Sequence, residues 1–395
     1  MDDSKSIGKL NELMELMKLR SVESVVRKQA LEIITCLRYG IVPNKGVLKC
    51  SVGREEILNL IKQDLKQVEN GHSRLRFLNG CYGSGKTHLL YILKEFAFKN
   101  NFASSFVTLS PRECPMYDLG VVYNHVVKGL RTSNCLDNPA LETIIKDWVN
   151  KISAMGTFDQ KLVLQKIKKL SPDFQKVLTS YIESFKKDSW KITDSAIRWI
   201  QGDLRNKRDA KICGAESYAC NETAIDMLRN LVLMLKVVGF RGLVILLDEA
   251  EAIPSVSRVS QIQHAYDNLV KLINCNLEMS NSYFIYATTP PFFEEIKKDN
   301  SLDIEEKNLT NLGPLPKSDL QKLSFLIRDL HIQAYGWANI ERLFKGNLLR
   351  YVDKFLKLSE GGTSARNFVR ALVASLDICH ENCRLNLLQT LNPVN

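Results

Sequence analysis

Apolar residues recur at helical spacing from Lys28 to Tyr39, and the run stops at Gly40 and Pro43, which predicts a helix closed by a turn. A second amphipathic run opens at Gly53-Arg54-Glu55-Glu56, carries Ile57, Leu60, Ile61, Leu65 and Val68, and ends at the turn-forming pair Asn70-Gly71. Leu75, Phe77 and Leu78 then predict a short strand leading straight into a glycine-rich turn and a helix from about Lys86 to Phe98, with a further strand at Phe106–Leu109. Far downstream, Leu243 to Leu247 are five consecutive apolar residues, as in a strand buried on both faces of a parallel sheet. Tyr283–Ala287 predicts another strand, ending in Thr288-Thr289-Pro290. Between about residues 121 and 236 helical periodicity repeats, for example at Leu162, Leu164, Ile167 and Leu170, which predicts a large helical insertion. After Pro314 the stripes Leu320, Leu323, Ile327, Leu330 and Phe368, Val369, Leu372, Leu376 predict a helical C-terminal lid. The fold class expected is therefore α/β, a parallel sheet flanked by helices.

Composition adds little to this but excludes a good deal. The chain has 395 residues, 45% of them hydrophobic and 25% charged, with 11 prolines, so disordered and fibrous classes fall away. No apolar run approaches the roughly 20 residues that span a bilayer. The polar, acidic start Met1–Lys5 lacks the basic and apolar regions of a signal peptide, so a cytoplasmic location is expected, with no membrane partner. Lysine and arginine total 54 against 44 acidic residues, a net charge of +10 that favours a polyanionic partner such as DNA or RNA. The lysines of the insertion, Lys161, Lys166, Lys168, Lys169, Lys176, Lys186 and Lys187, suit a nucleic-acid surface or, equally, a solvated helix face. Ten cysteines are scattered and are expected to be reduced; Cys379, His380 and Cys383 lie closest together but lack a second pair at zinc-finger spacing.

The chemistry begins at Gly80-Cys81-Tyr82-Gly83-Ser84-Gly85-Lys86-Thr87, which fits G-x-x-x-x-G-K-[ST] without a mismatch. Chance would supply such a match on the order of once per hundred chains of this length, and the strand before it and helix after it lower that further. Triphosphate oxygens need several converging donors. A glycine-rich loop turns its backbone N–H groups toward them, and the following helix offers its positive end. Lys86 is expected to reach the β and γ phosphates and Thr87 to place its hydroxyl on Mg²⁺, with His88 next in line on the helix. Hydrolysis also needs a metal-holding acid and a group that orients water. Asp248 and Glu249, at the end of the Leu243 strand, are the candidates: Asp248 for Mg²⁺, Glu249 as general base. Thr289 brings a hydroxyl to the end of the next strand, where threonine before proline is also an ordinary terminator.

Together with Arg366 in the last helix, these residues resemble the AAA+ ATPases, particularly their origin-recognition-like branch. The resemblance narrows through Leu31–Pro43, Val52-Gly53-Arg54-Glu55-Glu56, Arg76–Thr87, Arg241-Gly242-Leu243, Asp248-Glu249-Ala250-Glu251, Thr289-Pro290 with Phe292-Phe293, and Ile327–Trp337, to the ATP-binding proteins of BREX bacteriophage-defence systems. It spans about residues 28 to 375, strongest in the N-terminal third and the ATPase strands and weakest in the insertion. It implies an N-terminal helical segment over 1–45, an AAA+ P-loop core over 46–312 and a helical lid over 313–395. It also implies that Thr289 takes the first sensor role and that Arg366, in Gly362-Thr363-Ser364-Ala365-Arg366-Asn367-Phe368, takes the second, reaching the γ-phosphate. The nucleotide cradle would be Gly80, Cys81, Tyr82, Gly83, Ser84, Gly85, Lys86, Thr87 and His88.

The activity implied is Mg²⁺-dependent ATP hydrolysis in a prokaryotic antiviral system whose components include a helicase. A helicase-like partner, DNA and an ATP-dependent homo-oligomer are the partners to expect. One departure counts against trans-activation: Glu294 to Asn311 contains no arginine where the family tends to carry one. A nucleotide-gated switch or loader with little hydrolysis is therefore the alternative, ahead of a metabolic kinase, for which no acceptor-substrate signature stands out.

Overall fold

The computed structural model describes residues 2–20, 23–154, 165–187, 189–255, 258–298, 304–359, 364–382 and 384–391. Leu162, Leu164, Lys161, Gly362, Thr363 and Cys383 lie outside them. Six strands form one sheet: β1 Arg74–Asn79, β2 Ala103–Thr108, β3 Leu130–Arg131, β4 Leu243–Asp248, β5 Ser282–Thr288 and β6 Leu309–Asn311, in the order β3-β2-β4-β5-β1-β6. Every pairing is parallel except β2 with β3. Numbering the helices of eight or more residues, the chain contains α1 Asp2–Arg20, α2 Ser24–Arg38, α3 Glu55–Glu69, α4 Lys86–Lys99, α5 Leu119–Lys128, α6 Leu141–Ala154, α7 Pro172–Lys186, α8 Trp190–Gln201, α9 Ala224–Val238, α10 Val259–Glu278, α11 Pro290–Lys297, α12 Lys317–Tyr335, α13 Lys345–Leu358 and α14 Ala365–Glu381. Among the described residues no helix is long and apolar enough to cross a membrane.

The chain divides into two compact units. The sheet unit comprises 58–79 and 93–311. All of β4 and β5 is buried, as sheets with helices on both faces require. Helix α10 packs on β1 and β5, α5 on β2, and α9 on α5 and α6. The predicted helical insertion is thus α5 to α9 with β3 inside it, and its one continuous core includes Ile167 and Leu170, while Lys166, Lys168, Lys169, Lys176 and Lys187 are exposed. A buried polar cluster ties α3 to the sheet. Asp64 Oδ2 accepts from Arg76 Nη2 at 2.5 Å and from the Tyr283 hydroxyl at 2.6 Å, and Arg76 Nη1 donates to Thr310 Oγ1 at 2.9 Å. Burial and the negative Asp64 push the Tyr283 hydroxyl well above its usual pKa, so it stays protonated and remains a donor.

The other unit comprises 1–57, 80–92 and 312–395. Its core joins chain segments from opposite ends of the sequence: Ile33, Ile34 and Leu37 of α2 with Ile327 and Leu330 of α12, Tyr351 and Phe355 of α13, and Phe368 and Leu372 of α14. Helix α12 is the centre, touching α1, α2, α13 and α14. Asp377 on α14 accepts from Arg38 Nε at 2.8 Å and lies 3.0 Å from His331 Nε2, while Trp337 Nε1 donates to His331 Nδ1 at 2.8 Å. Burial alone would raise Asp377, but these bonds outweigh it and hold the carboxyl at about 2. Helix α2 closes as its pattern predicts: the Gly40 N–H reaches Leu37 O at 3.0 Å and the Ile41 N–H reaches Cys36 O at 2.9 Å. Gly40 takes φ +68°, the left-handed conformation that this paired closure needs.

Candidate functional site

The phosphate-type loop leaves β1 after Asn79 and enters α4 at Lys86. Gly83 and Gly85 have φ +77° and +98°, which side-chain-bearing residues adopt only at a cost, so the motif's glycines are there for the backbone path. The buried Lys86 Nζ donates to Gly80 O at 2.7 Å and to Cys81 O at 3.3 Å, so the ammonium is drawn in over the loop that precedes it. Three protons are available on that nitrogen. A Cβ at Gly80 would come within 2.6 Å of Ser84 Oγ and 2.9 Å of Leu312 O, whereas one at Gly85 would meet nothing within 4 Å. Ser84 Oγ is buried without a hydrogen-bond partner among the described residues, an oxygen that a phosphate group would satisfy.

Three segments distant in sequence surround this loop within its unit. Arg54, just ahead of α3, donates from Nη2 to Ser84 O and to Gly313 O, both at 3.1 Å. Gly53 beside it has φ +67° and no room for a side chain, because a Cβ would fall 2.0 Å from Asp319 Oδ2. Ser51 Oγ lies 2.7 Å from His88 Nε2 and 2.8 Å from Val47 O. One hydroxyl proton cannot serve both; if it goes to the carbonyl, His88 is the donor through Nε2. Burial, reinforced by the charge of Arg54, pushes His88 down to about 4, so the ring is neutral near pH 7. From the C-terminal side, Arg366 sets its guanidinium over the Tyr82 ring with Cζ 4.6 Å from the ring centroid. Its backbone nitrogen lies 3.5 Å from Gly83 O. Of the sequence-predicted residues, the structure thus brings together Gly80, Cys81, Tyr82, Gly83, Ser84, Lys86, His88 and Arg366. Arg54 enters the sequence analysis as part of a helix opening and of the resemblance segment Val52–Glu56, and neither assigns it a place beside the loop.

In the sheet unit, Asp248 is the buried last residue of β4 and Glu249 follows it, exposed, with φ +59°. Glu249 N–H donates to Asp248 Oδ1 at 3.1 Å. A left-handed glutamate stores strain, and such strain concentrates where function dictates the backbone. Thr289 caps α11 through its backbone, its C=O accepting from Phe293 N–H at 2.9 Å, and its side chain makes no capping bond. In register, Asn79 pairs with Thr288 and Thr108 with Asp248, so the ends of β1, β2, β4 and β5 share the carboxyl edge where parallel sheets bind ligands. Thr87 in one unit and Asp248 in the other each offer an oxygen of the kind Mg²⁺ takes. The loop's donors, its orphaned Ser84 hydroxyl and its open space at Gly85 fit a nucleoside triphosphate.

The sequence model of the BREX system ATP-binding protein BrxC/D matches residues 25–395. The chain belongs to this family. The resemblance read from the phosphate loop and the strand-end acids is therefore to its own family. A search of curated proteins finds no match. Among solved structures, the Drosophila ORC bound to DNA is 13% identical with TM-score 0.45, over 85% of this chain and 65% of that one. The Aeropyrum pernix ORC1 protein in complex with DNA is 14% identical with TM-score 0.40, over 89% and 65%. The Aeropyrum pernix ORC2 protein, in ADPNP and ADP complexes, is 13% identical with TM-score 0.38, over 81% and 67%. This BREX family member thus spans less than two thirds of the length of the first and second of these chains.

Proposed function

We propose that this BREX protein is a Mg²⁺-dependent ATPase whose nucleotide cycle moves its lid and inserted helices and so changes its hold on double-stranded DNA or a helicase-like partner. The observation that carries the reading is the meeting of Arg366 with the phosphate loop inside one compact unit, at Tyr82 and Gly83. A loop that only turned a chain would need neither a buried lysine nor a cation brought from a helix far along the sequence. In this reading Lys86 and the loop N–H groups bind the β and γ phosphates, and Arg366 binds the γ-phosphate with two parallel donors. Thr87 and Asp248 hold Mg²⁺, which when bound supplies positive charge to the transferring phosphoryl group. Glu249 accepts a proton from the attacking water, and Thr289 holds its hydroxyl toward the same group. The net charge of +10 supports the nucleic-acid partner.

The lack of an arginine from Glu294 to Asn311 favours a second reading, a nucleotide-gated switch with slow turnover. Phosphate release by the wild type and Glu249→Gln, with and without duplex DNA, separates the two. An ATPase loses about a hundredfold or more of its rate in Glu249→Gln while retaining ATP uptake. A switch releases phosphate equally slowly in both, yet still changes its DNA affinity with ATP. Lys86→Ala that leaves nucleotide uptake intact in calorimetry would refute both.

A further inference from the structure

We propose that Tyr82 and Gly40 form a slot that positions Arg366, so that discrimination between ATP and ADP depends on the aromatic face of a loop residue and on a turn near the start of the chain. The inference rests on the role for Arg366 just given. Tyr82 is the third residue of the phosphate loop and its side chain is 74% exposed, so burial of its own surface does not account for an aromatic there. What lies on it is a guanidinium, with Cζ 4.6 Å from the centroid. The stem of the same arginine runs against Gly40. A Cβ built there would come within 3.2 Å of Arg366 Cγ, 3.4 Å of its Cδ and 3.0 Å of Arg370 Cδ. The backbone is fixed as well. The Arg366 backbone nitrogen lies 3.5 Å from Gly83 O, and a Cβ on Gly83 would fall 2.7 Å from Ser364, whose Oγ accepts from Asn367 N–H at 3.2 Å and caps α14.

The choice of an aromatic partner has a chemical consequence. A carboxylate would hold Arg366 through its N–H donors and compete with phosphate for them. A ring attracts the cation without accepting its N–H groups as a carboxylate would, so those five donors are left for phosphate. The contact therefore removes the side-chain freedom that binding would otherwise have to remove while leaving the phosphate-binding donors unspent.

The test measures ATP and ADP affinities of the full chain by calorimetry with Mg²⁺ for wild type, Arg366→Ala, Tyr82→Leu and Tyr82→Phe, with a thermal melt of each. Arg366→Ala is expected to lower the ATP-to-ADP affinity ratio about tenfold. Tyr82→Leu should lower it about two- to fivefold, the scale of an exposed cation–π contact, with melting unchanged; Tyr82→Phe should keep the wild-type ratio. If Tyr82→Leu keeps the wild-type ratio, or if Tyr82→Phe falls as far as leucine, the slot is overturned while the role of Arg366 stands. If Arg366→Ala keeps the ratio, the sensor role itself is wrong, and the slot with it. A wild type that takes up neither nucleotide overturns the site.

Discussion

The two compact units hold their functional residues in opposite ways. In the sheet unit, Asp248 and Glu249 are placed by the strand that carries them: the five buried residues Leu243–Leu247 of β4 run straight into the acids. In the other unit, the phosphate loop is held by Arg54 from before α3 and Arg366 from α14, side chains brought in from both directions along the chain. A strand end can be built by a local pattern. A loop that must reshape around a ligand needs contacts that a local pattern cannot supply, and the price is dependence on distant segments.

The contrast can be broken at several points. The largest effect is expected in the sheet unit, where Asp64→Ala leaves the buried Arg76 without its carboxylate and should cost about 3–5 kcal/mol in urea unfolding. A loss under about 1 kcal/mol would show that this cluster does not hold the sheet. Next, Gly53→Ala should cost about 3 kcal/mol, combining a left-handed backbone with the collision against Asp319. Gly71→Ala, with φ +96° but open space around it, should cost only about 1 kcal/mol. Equal losses at the two glycines would remove the argument that the segment before α3 is built around Asp319.

Acid sharpens the comparison further. His88 titrates near 6.5 when unfolded and at about 4 when folded, so the unfolded chain binds the proton first. Its stabilising contribution is complete above about pH 6.5 and is lost as pH falls toward 4, about 2 kcal/mol after allowing for the partial exposure of the ring. His88→Gln should flatten that limb and leave the loss below pH 4 that comes with protonation of Asp377. The smallest effect is expected at Glu249: Glu249→Gly relieves the positive φ and should raise stability by about 1 kcal/mol while abolishing phosphate release. A glycine variant no more stable than the wild type would show that this turn carries no strain.

The sequence pattern was most informative where structure is local. The strand at Leu243 and the helix at Lys86 begin where their apolar spacing and loop motif put them, and α2 stops at Gly40. Strands β3, of two residues, and β6, of three, are too short to carry a period of two and exist because neighbours pair with them. Helix α1 is expected only as part of the helical segment over 1–45 that the resemblance implies, although Leu13, Leu16 and Leu19 repeat at helical spacing and join its unit's core. In the site, the loop and the strand-end acids were legible because each is a contiguous motif. The parts of Arg54, Ser51, Gly40 and Asp319 were not, because each acts through a partner far away in the chain. Only the fold brings Gly40 to Arg366 or Gly53 to Asp319.

The shared core of α2 with α12, α13 and α14 also sets an order of events during synthesis. The sheet unit has all its strands once Asn311 has been made. Helix α2 is made early and cannot cover its apolar stripe until α12 to α14 leave the ribosome, so it waits exposed while most of the polypeptide is translated. If Arg366 completes the site as proposed, competence to bind a triphosphate arrives late, and a stalled or truncated product would carry the glycine loop without that arginine.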